Sequence, residues 1–267
     1  MQLIYIGGYG RSGSTLLEQL MALDPKTVAC GEIARASKRG FKRKKLCTCG
    51  RTALECPVWR HAKQPRESHN LTHTDLVLLL LDRLANGYAA MVDSSKTAWG
   101  TAMTPFKLQW RLGKDFGLIH IVRDPRAVCW STMRAPTKRM WARHARMPRF
   151  FVTLLGWWAA NLACETFRWR YPDQYVRIRY EDLVKSPTQT VETVFETLRA
   201  ASTSNSDVAT DNRHQLYGNR TRYQSPSLAN VSDDRAWLIE MPRLYRALAL
   251  PLSWPLSRRY GYLAPPA

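Results

Sequence analysis

The stretch Gln2-Leu3-Ile4-Tyr5-Ile6-Gly7-Gly8-Tyr9-Gly10-Arg11-Ser12-Gly13-Ser14-Thr15-Leu16-Leu17 decides how the rest of the chain is read. Leu3 to Ile6 is a short unbroken apolar run closed by two glycines, the pattern of a buried parallel strand entering a turn. From Ser14 to Leu23 the spacing is helical, and Asp24-Pro25 stops it. Strand, glycine turn and helix in that order bring backbone N–H groups and the positive end of a helix to one point, which suits an anion. Arg11, Ser14 and Thr15 add side-chain donors there.

This loop departs from the pattern G-x-x-x-x-G-K-[ST] at one place. Gly8 and Gly13 have the right separation, but Ser14 stands where the lysine that reaches β- and γ-phosphates belongs. A triphosphate enzyme is therefore disfavoured. A donor whose reactive group hangs on a single 5′-phosphate needs only a cradle and an arginine at its rim, and activated sulfate fits that description.

Outward from the loop, Ala89 to Val92, Leu118 to Val122 and Val176 to Arg179 are further short apolar runs with polar ends. Helical spacing occupies stretches near 74–86, 104–112, 125–134, 155–170 and 187–200, the last opened by Ser186 with Pro187 at its first position. Strand and helix alternate, which predicts an α/β fold: a single P-loop-like domain over 1–267, with a central parallel sheet flanked by helices. Three segments read as additions to it: a cysteine-rich basic insertion at 36–70, a basic segment at 135–153 and a flexible polar loop at 201–215.

A second anion site is legible at Val122-Arg123-Asp124-Pro125, where a strand ends, a proline breaks the chain and a helix begins. Ser131 follows Arg123 by eight residues, about two helical turns into that helix, so the two can hold one dianionic phosphate between them.

Gly10-Arg11-Ser12-Gly13-Ser14-Thr15-Leu16-Leu17, followed by Val122-Arg123-Asp124-Pro125-Arg126-Ala127-Val128-Cys129-Trp130-Ser131, resembles the paired nucleotide motifs of the PAPS-dependent sulfotransferase superfamily. The likeness is greatest to its bacterial branch and to the tyrosylprotein and glycan sulfotransferases. It implies 3′-phosphoadenosine 5′-phosphosulfate (PAPS) as co-substrate, leaving as PAP. Arg11, Ser12, Gly13, Ser14 and Thr15 would bind the 5′-phosphosulfate, and Arg123 and Ser131 the 3′-phosphate. Arg179-Tyr180-Glu181-Asp182-Leu183 is similar to the segment whose tyrosine lies by the adenine, and Tyr217-Gly218-Asn219-Arg220-Thr221-Arg222 resembles the late nucleotide loop. Tyr180, Asn219 and Arg222 thereby join the implied nucleotide contacts. Arg220 stands where the family carries proline.

Sulfuryl transfer to a hydroxyl needs a base near the acceptor and positive charge on the bridging oxygen as the nucleotide leaves. Glu32, at the end of the apolar approach Val28-Ala29-Cys30-Gly31, matches the glutamate base implied by the tyrosylprotein and glycan enzymes. Lys96, after Ala89 to Ser95, resembles their catalytic lysine, with Ala98 in place of a proline. Arg11 completes the candidate catalytic set. The six histidines offer no spaced catalytic pair.

The formal charge of +19 implies an acidic partner without choosing one. Between Pro125 and Cys164 no acidic residue occurs, while Arg126, Arg134, Lys138, Arg139, Arg143, Arg146 and Arg149 accumulate among aromatic residues, which favours a glycan or lipid acceptor or contact with a membrane surface. No uncharged apolar run is long enough to span a bilayer and no export signal opens the chain, so a cytoplasmic protein is expected, with the inner membrane surface as its second address. Cys47, Cys49 and Cys56 either pack the insertion or hold zinc with Cys30 or His61 as fourth ligand. No metal is assigned to the reaction. Two other functions remain: a P-loop nucleotide kinase or NTPase with Asp93 as magnesium ligand, and a basic nucleic-acid-binding module, which leaves both anion motifs unexplained.

Overall fold

The computed structural model describes residues 1–40, 45–62, 71–98, 100–135, 146–200, 212–224 and 234–263. Five strands form one sheet: β1 (Gln2–Gly7), β2 (Thr27–Ala29), β3 (Ala90–Asp93), β4 (Phe116–Val122) and β5 (Tyr175–Arg179). Its order is β2-β3-β1-β4-β5 and every pairing is parallel, with Tyr5 opposite both Asp93 and Leu118. The helices are α1 (Ser14–Met21), α2 (Ile33–Arg39), α3 (His73–Leu84), α4 (Thr104–Leu112), α5 (Pro125–Arg134), α6 (Arg146–Arg170), α7 (Tyr180–Lys185), α8 (Pro187–Thr197), α9 (Ala236–Glu240), α10 (Arg243–Leu252) and α11 (Trp254–Arg259). No helix among the described residues is long and apolar enough to cross a membrane.

The central strands read as continuous apolar runs because both of their faces are covered. In β1, Leu3 and Tyr5 enter one core layer with Phe116, Leu118 and Phe167, while Ile4 and Ile6 enter the other with Leu17, Leu20 and Val194. Side chains alternate across a strand, so each residue feeds one layer. Helices α1, α7 and α8 cover one face, whereas α2, α3, α4, α6 and the segment around Cys47 to Ala62 cover the other. Each fully buried Leu or Ile contributes about 1.5–3 kcal/mol.

Among the described residues helix α6 covers Arg146–Arg170, reaching earlier than the 155–170 that the spacing predicts. Its Phe150 and Leu154 meet Trp130 of α5 and Trp237 of α9 in a third cluster. Tyr260 and Tyr262 pack with Trp157 and Val122, so the chain's C-terminal portion closes over the end of β4.

One sequence expectation changes here. Asn212, Arg213, His214 and Gln215 are buried rather than part of an exposed loop, since His214 N–H donates to Ala29 O at 2.7 Å and Ala29 N–H to Asn212 O at 3.1 Å. The remainder of the 201–215 loop, residues 201–211, lies outside the described residues. Three arginines of the basic stretch are engaged within the fold, while Arg146 is exposed. Arg126 is buried and paired with Asp124 at 2.6 Å, Arg134 meets Glu240 at 3.0 Å, and Arg149 donates to Ala135 O at 2.9 Å. Lys138, Arg139 and Arg143 lie outside the described residues.

Candidate active site

A parallel sheet directs all its carboxyl ends to one edge, and here each of the five strand ends delivers a residue singled out by sequence. The phosphate loop follows β1, Glu32 follows β2, Lys96 follows β3, Arg123 follows β4 and Tyr180 follows β5.

Gly8 must lack a side chain, because a Cβ there would sit 2.3 Å from the Ile121 carbonyl of the neighbouring strand. At Gly13, φ is +92° and a Cβ would meet the Tyr180 ring at 2.5 Å, so the loop closes directly against that tyrosine. Helix α1 begins without a side-chain cap, which leaves its first-turn N–H groups directed at the loop. Ser12 and Ser14 are buried at its floor.

Both anion motifs meet in one cluster. The Arg11 guanidinium donates from Nε to Ser131 Oγ at 3.0 Å, and the Arg11 carbonyl accepts from Arg123 at 3.0 Å. Arg123 is buried, lies 4.1 Å over the Tyr180 ring, and keeps its Nε without a hydrogen-bond partner. Burial, and after it the nearby charge of Arg123, lower the Arg11 pKa from its ordinary value. The acid beside them is Asp234, 3.6 Å from Arg123 and largely exposed on its own side chain. This cluster therefore sets two guanidinium groups against one neighbouring acid and keeps a buried donor without a partner, an arrangement that can accept an anion.

On the other side, Lys96 Nζ donates to Glu32 Oε1 at 2.6 Å, and Glu32 Oε2 lies 2.5 Å from Arg35. Both Glu32 and the Lys96 ammonium are largely shielded from solvent. Lys96 has a left-handed backbone, φ +68°, held by its N–H on Ile6 O at 3.1 Å and by the Tyr5 hydroxyl on its carbonyl. Among the described residues three non-glycine positions have positive φ, and two of them are Arg11 and Lys96. Strained backbone of this kind gathers at functional sites. Thr97 joins the two sides: its hydroxyl accepts from Gly8 N–H at 3.0 Å.

The late loop sits on the Glu32 side. Tyr217 O accepts from Glu32 N–H at 3.0 Å, and Gln19 of α1 donates to the carbonyls of Thr221, Arg222 and Gln224. Arg222 is buried and holds its own loop, donating to Gly218 O at 2.9 Å and Asn219 O at 2.8 Å, while Asn219 itself is exposed.

Sequence reasoning missed Glu18. This α1 carboxylate is fully buried, accepts from Gly31 N–H at 2.5 Å and from Gln215 at 2.6 Å, and burial raises its pKa to about 7. It thus fixes the residue preceding Glu32. Its signal was present: Glu18 follows Ser14 by one helical turn on the core-facing side of α1, where an acid needs a dedicated partner. Asp93, the acid required by a magnesium-dependent reading, is committed elsewhere. It accepts from Ser95 N–H at 2.9 Å and Ile33 N–H at 3.3 Å, and it meets His73 at 2.6 Å. His120 is a core residue bonded to Asn161 and Tyr175, and burial pushes its pKa down to about 4.

The model of the Sulfotransferase family matches residues 3–204. Among solved structures, the chain is similar to the sulfotransferase domain from the curacin biosynthetic pathway, at 21% identity over 76% of this chain and 75% of that one, TM-score 0.54. It is also similar to the sulfotransferase domain of the Synechococcus PCC 7002 olefin synthase, at 18% identity over 99% and 95%, TM-score 0.57. A mouse sulfotransferase, SULT7A1 complexed with PAP, aligns at 14% identity over 98% and 89%, TM-score 0.56. At these identities the structural likeness is one of fold. None of the curated proteins matches the chain in sequence.

Proposed function

The chain belongs to the sulfotransferase family, and from that premise we propose that it transfers a sulfuryl group from PAPS to a hydroxyl of a glycan, lipid or other small acceptor. The observation that carries the choice of donor is the joint cluster of Arg11, Ser131 and Arg123, with the unused Nε of buried Arg123. The buried Arg123 guanidinium beside the Ser131 hydroxyl suits a dianionic 3′-phosphate, and the uncapped start of α1 with the Arg11 guanidinium at its rim suits the 5′-phosphosulfate. Ser12, Gly13, Ser14 and Thr15 supply that second seat, with Tyr180 as the surface against which the adenine stacks. The PAP held by the mouse protein of the same fold supports this nucleotide. Asn219 and Arg222 contribute through the late loop, Arg222 by holding its shape.

In the reaction the acceptor oxygen forms a bond to sulfur while the bond from sulfur to the 5′-phosphate oxygen breaks. Glu32 takes the acceptor's proton as that bond forms, since a carboxylate is too weak a base to remove it beforehand. Lys96 carries three donors, so it can keep one on Glu32 and turn another to the bridging oxygen, where negative charge develops. Arg11 neutralises charge on the transferred group.

Calorimetric titration with PAP, ATP and duplex DNA tests the reading. Tight PAP binding that needs no magnesium is expected. Preference for ATP, or DNA binding without PAP binding, would overturn it.

A further inference from the structure

Cys47-Thr48-Cys49-Gly50 forms a tight reversal: Cys47 N–H donates to Arg51 O at 2.9 Å, Gly50 N–H donates to Cys47 O at 3.1 Å, and Leu46 pairs antiparallel with Thr52. Gly50, with φ +80°, permits the turn. The reversal presents two thiols together, and the next turn adds Cys56, whose N–H donates to Thr52 O at 2.9 Å. His214 arrives from 158 residues away.

The four ligand atoms lie within 4.8 Å of one another, with Cys56 Sγ 3.6 Å from Cys47 Sγ and 3.3 Å from His214 Nδ1. A disulfide needs sulfurs about 2.05 Å apart. Four ligands placed tetrahedrally around zinc, with Zn–S near 2.3 Å and Zn–N near 2.0 Å, stand about 3.5–3.8 Å apart; the Cys47–Cys56 separation falls in that range and the Cys56–His214 separation just below it, close enough for one ion to draw all four together. Backbone N–H groups also point at the sulfurs, those of Cys49 at Cys47, Arg51 at Cys49 and Trp59 at Cys56.

We propose that Cys47, Cys49, Cys56 and His214 form a zinc site, closed by four protein ligands and therefore structural rather than catalytic. Three soft thiolates with one imidazole favour zinc over harder cations. Cys30 is buried apart from this group, and the His61 side chain lies outside the described residues, so His214 takes the place that sequence spacing had offered to either of them. The site does for the 45–62 segment what a disulfide does in a secreted domain, fastening it to a distant part of the chain. His214 is paired with β2 at Ala29, its carbonyl accepts from Trp59 Nε1 at 2.5 Å, and three residues later Tyr217 O holds the Glu32 N–H. Metal binding thus pins the late loop and the approach to Glu32 to one anchor.

Elemental analysis of the whole chain, purified under reducing, metal-replete conditions, should find about one zinc per chain. Cys56→Ser and His214→Ala should each lose most of it. Cobalt substitution should give the intense visible absorption of tetrahedral thiolate coordination, altered in His214→Ala. Chelation should lower the melting temperature of the wild-type chain. Wild-type protein holding less than about a tenth of an equivalent of zinc, with its thiols reactive in the native state, would overturn the proposal. So would a Cys47–Cys56 disulfide found by mass spectrometry, or stoichiometric iron or copper. The wild-type measurements decide the matter even if the variants fail to fold.

Discussion

At the ends of β1, β4 and β5, Arg11 and Arg123 crowd together with Asp234 as their neighbouring acid, whereas at the ends of β2 and β3, Glu32 is matched by Lys96 and Arg35. The first region sets its acid 3.6 Å from Arg123 and leaves a buried donor of that guanidinium without a partner, whereas the second closes its carboxylate in direct ion pairs with both of its cations. Loosely paired guanidinium groups with a spare buried donor suit an anionic ligand, which supports the nucleotide seat proposed for the first region. A compensated pair has little reason to bind a phosphate, but it can exchange protons as bonds rearrange. On the proposed function the difference separates affinity from turnover, so variants on the two sides should behave differently.

The largest effect is expected on the compensated side. Glu32→Gln and Lys96→Ala should each lower kcat by about 10³-fold while PAP affinity changes by less than a few-fold. Single-turnover rates beside PAP titration check this, and unchanged turnover in either variant would remove that residue from the mechanism. On the charged side, Arg123→Ala should weaken PAP by about 100-fold, consistent with roughly 2–5 kcal/mol for a buried charge-assisted contact. Calorimetry reads it, and retained affinity would break the contrast between the two regions.

Gly13→Ala should cost about 1–3 kcal/mol in stability, because its positive φ and the Tyr180 ring leave a methyl group no room. Thermal melting with and without PAP would show whether the loop and Tyr180 fail together.

The smallest effect concerns Glu18. Burial has raised its folded pKa to about 7, above its unfolded value, so its contribution to stability is fully present below the unfolded pKa and is lost as pH rises towards and through about 7. Glu18→Gln removes that titration. The variant should gain on the wild type by up to roughly 3 kcal/mol as pH moves from about 4 to 8, read as the pH dependence of the difference in melting temperature. A difference that does not vary with pH would show that Glu18 does not titrate in this range.

Legibility differed between the two regions for a physical reason. The phosphate loop and the segment from Arg123 to Ser131 are each strand, turn and helix in a continuous stretch, and local order of that kind is written in apolar periodicity, glycine and proline. The basic run was less legible because the groups that engage it come from elsewhere. Arg134, for example, is met by Asp234 and Glu240, 100 and 106 residues on. Glu18 was overlooked for the same reason, since its partner Gln215 lies 197 residues away.

The sequence by itself determined the parallel α/β sheet, the anion loop without its lysine, and the position of Glu32, Lys96 and Arg123 just past strand ends, because each depends on what stands within a few positions along the chain. Only the tertiary structure decided that Arg11 reaches Ser131, that Lys96 is held by Glu32, and that His214 rather than Cys30 joins the three thiols. Those meetings follow from the strand order β2-β3-β1-β4-β5, which brings sequence-distant strand ends to one edge and which no local pattern encodes.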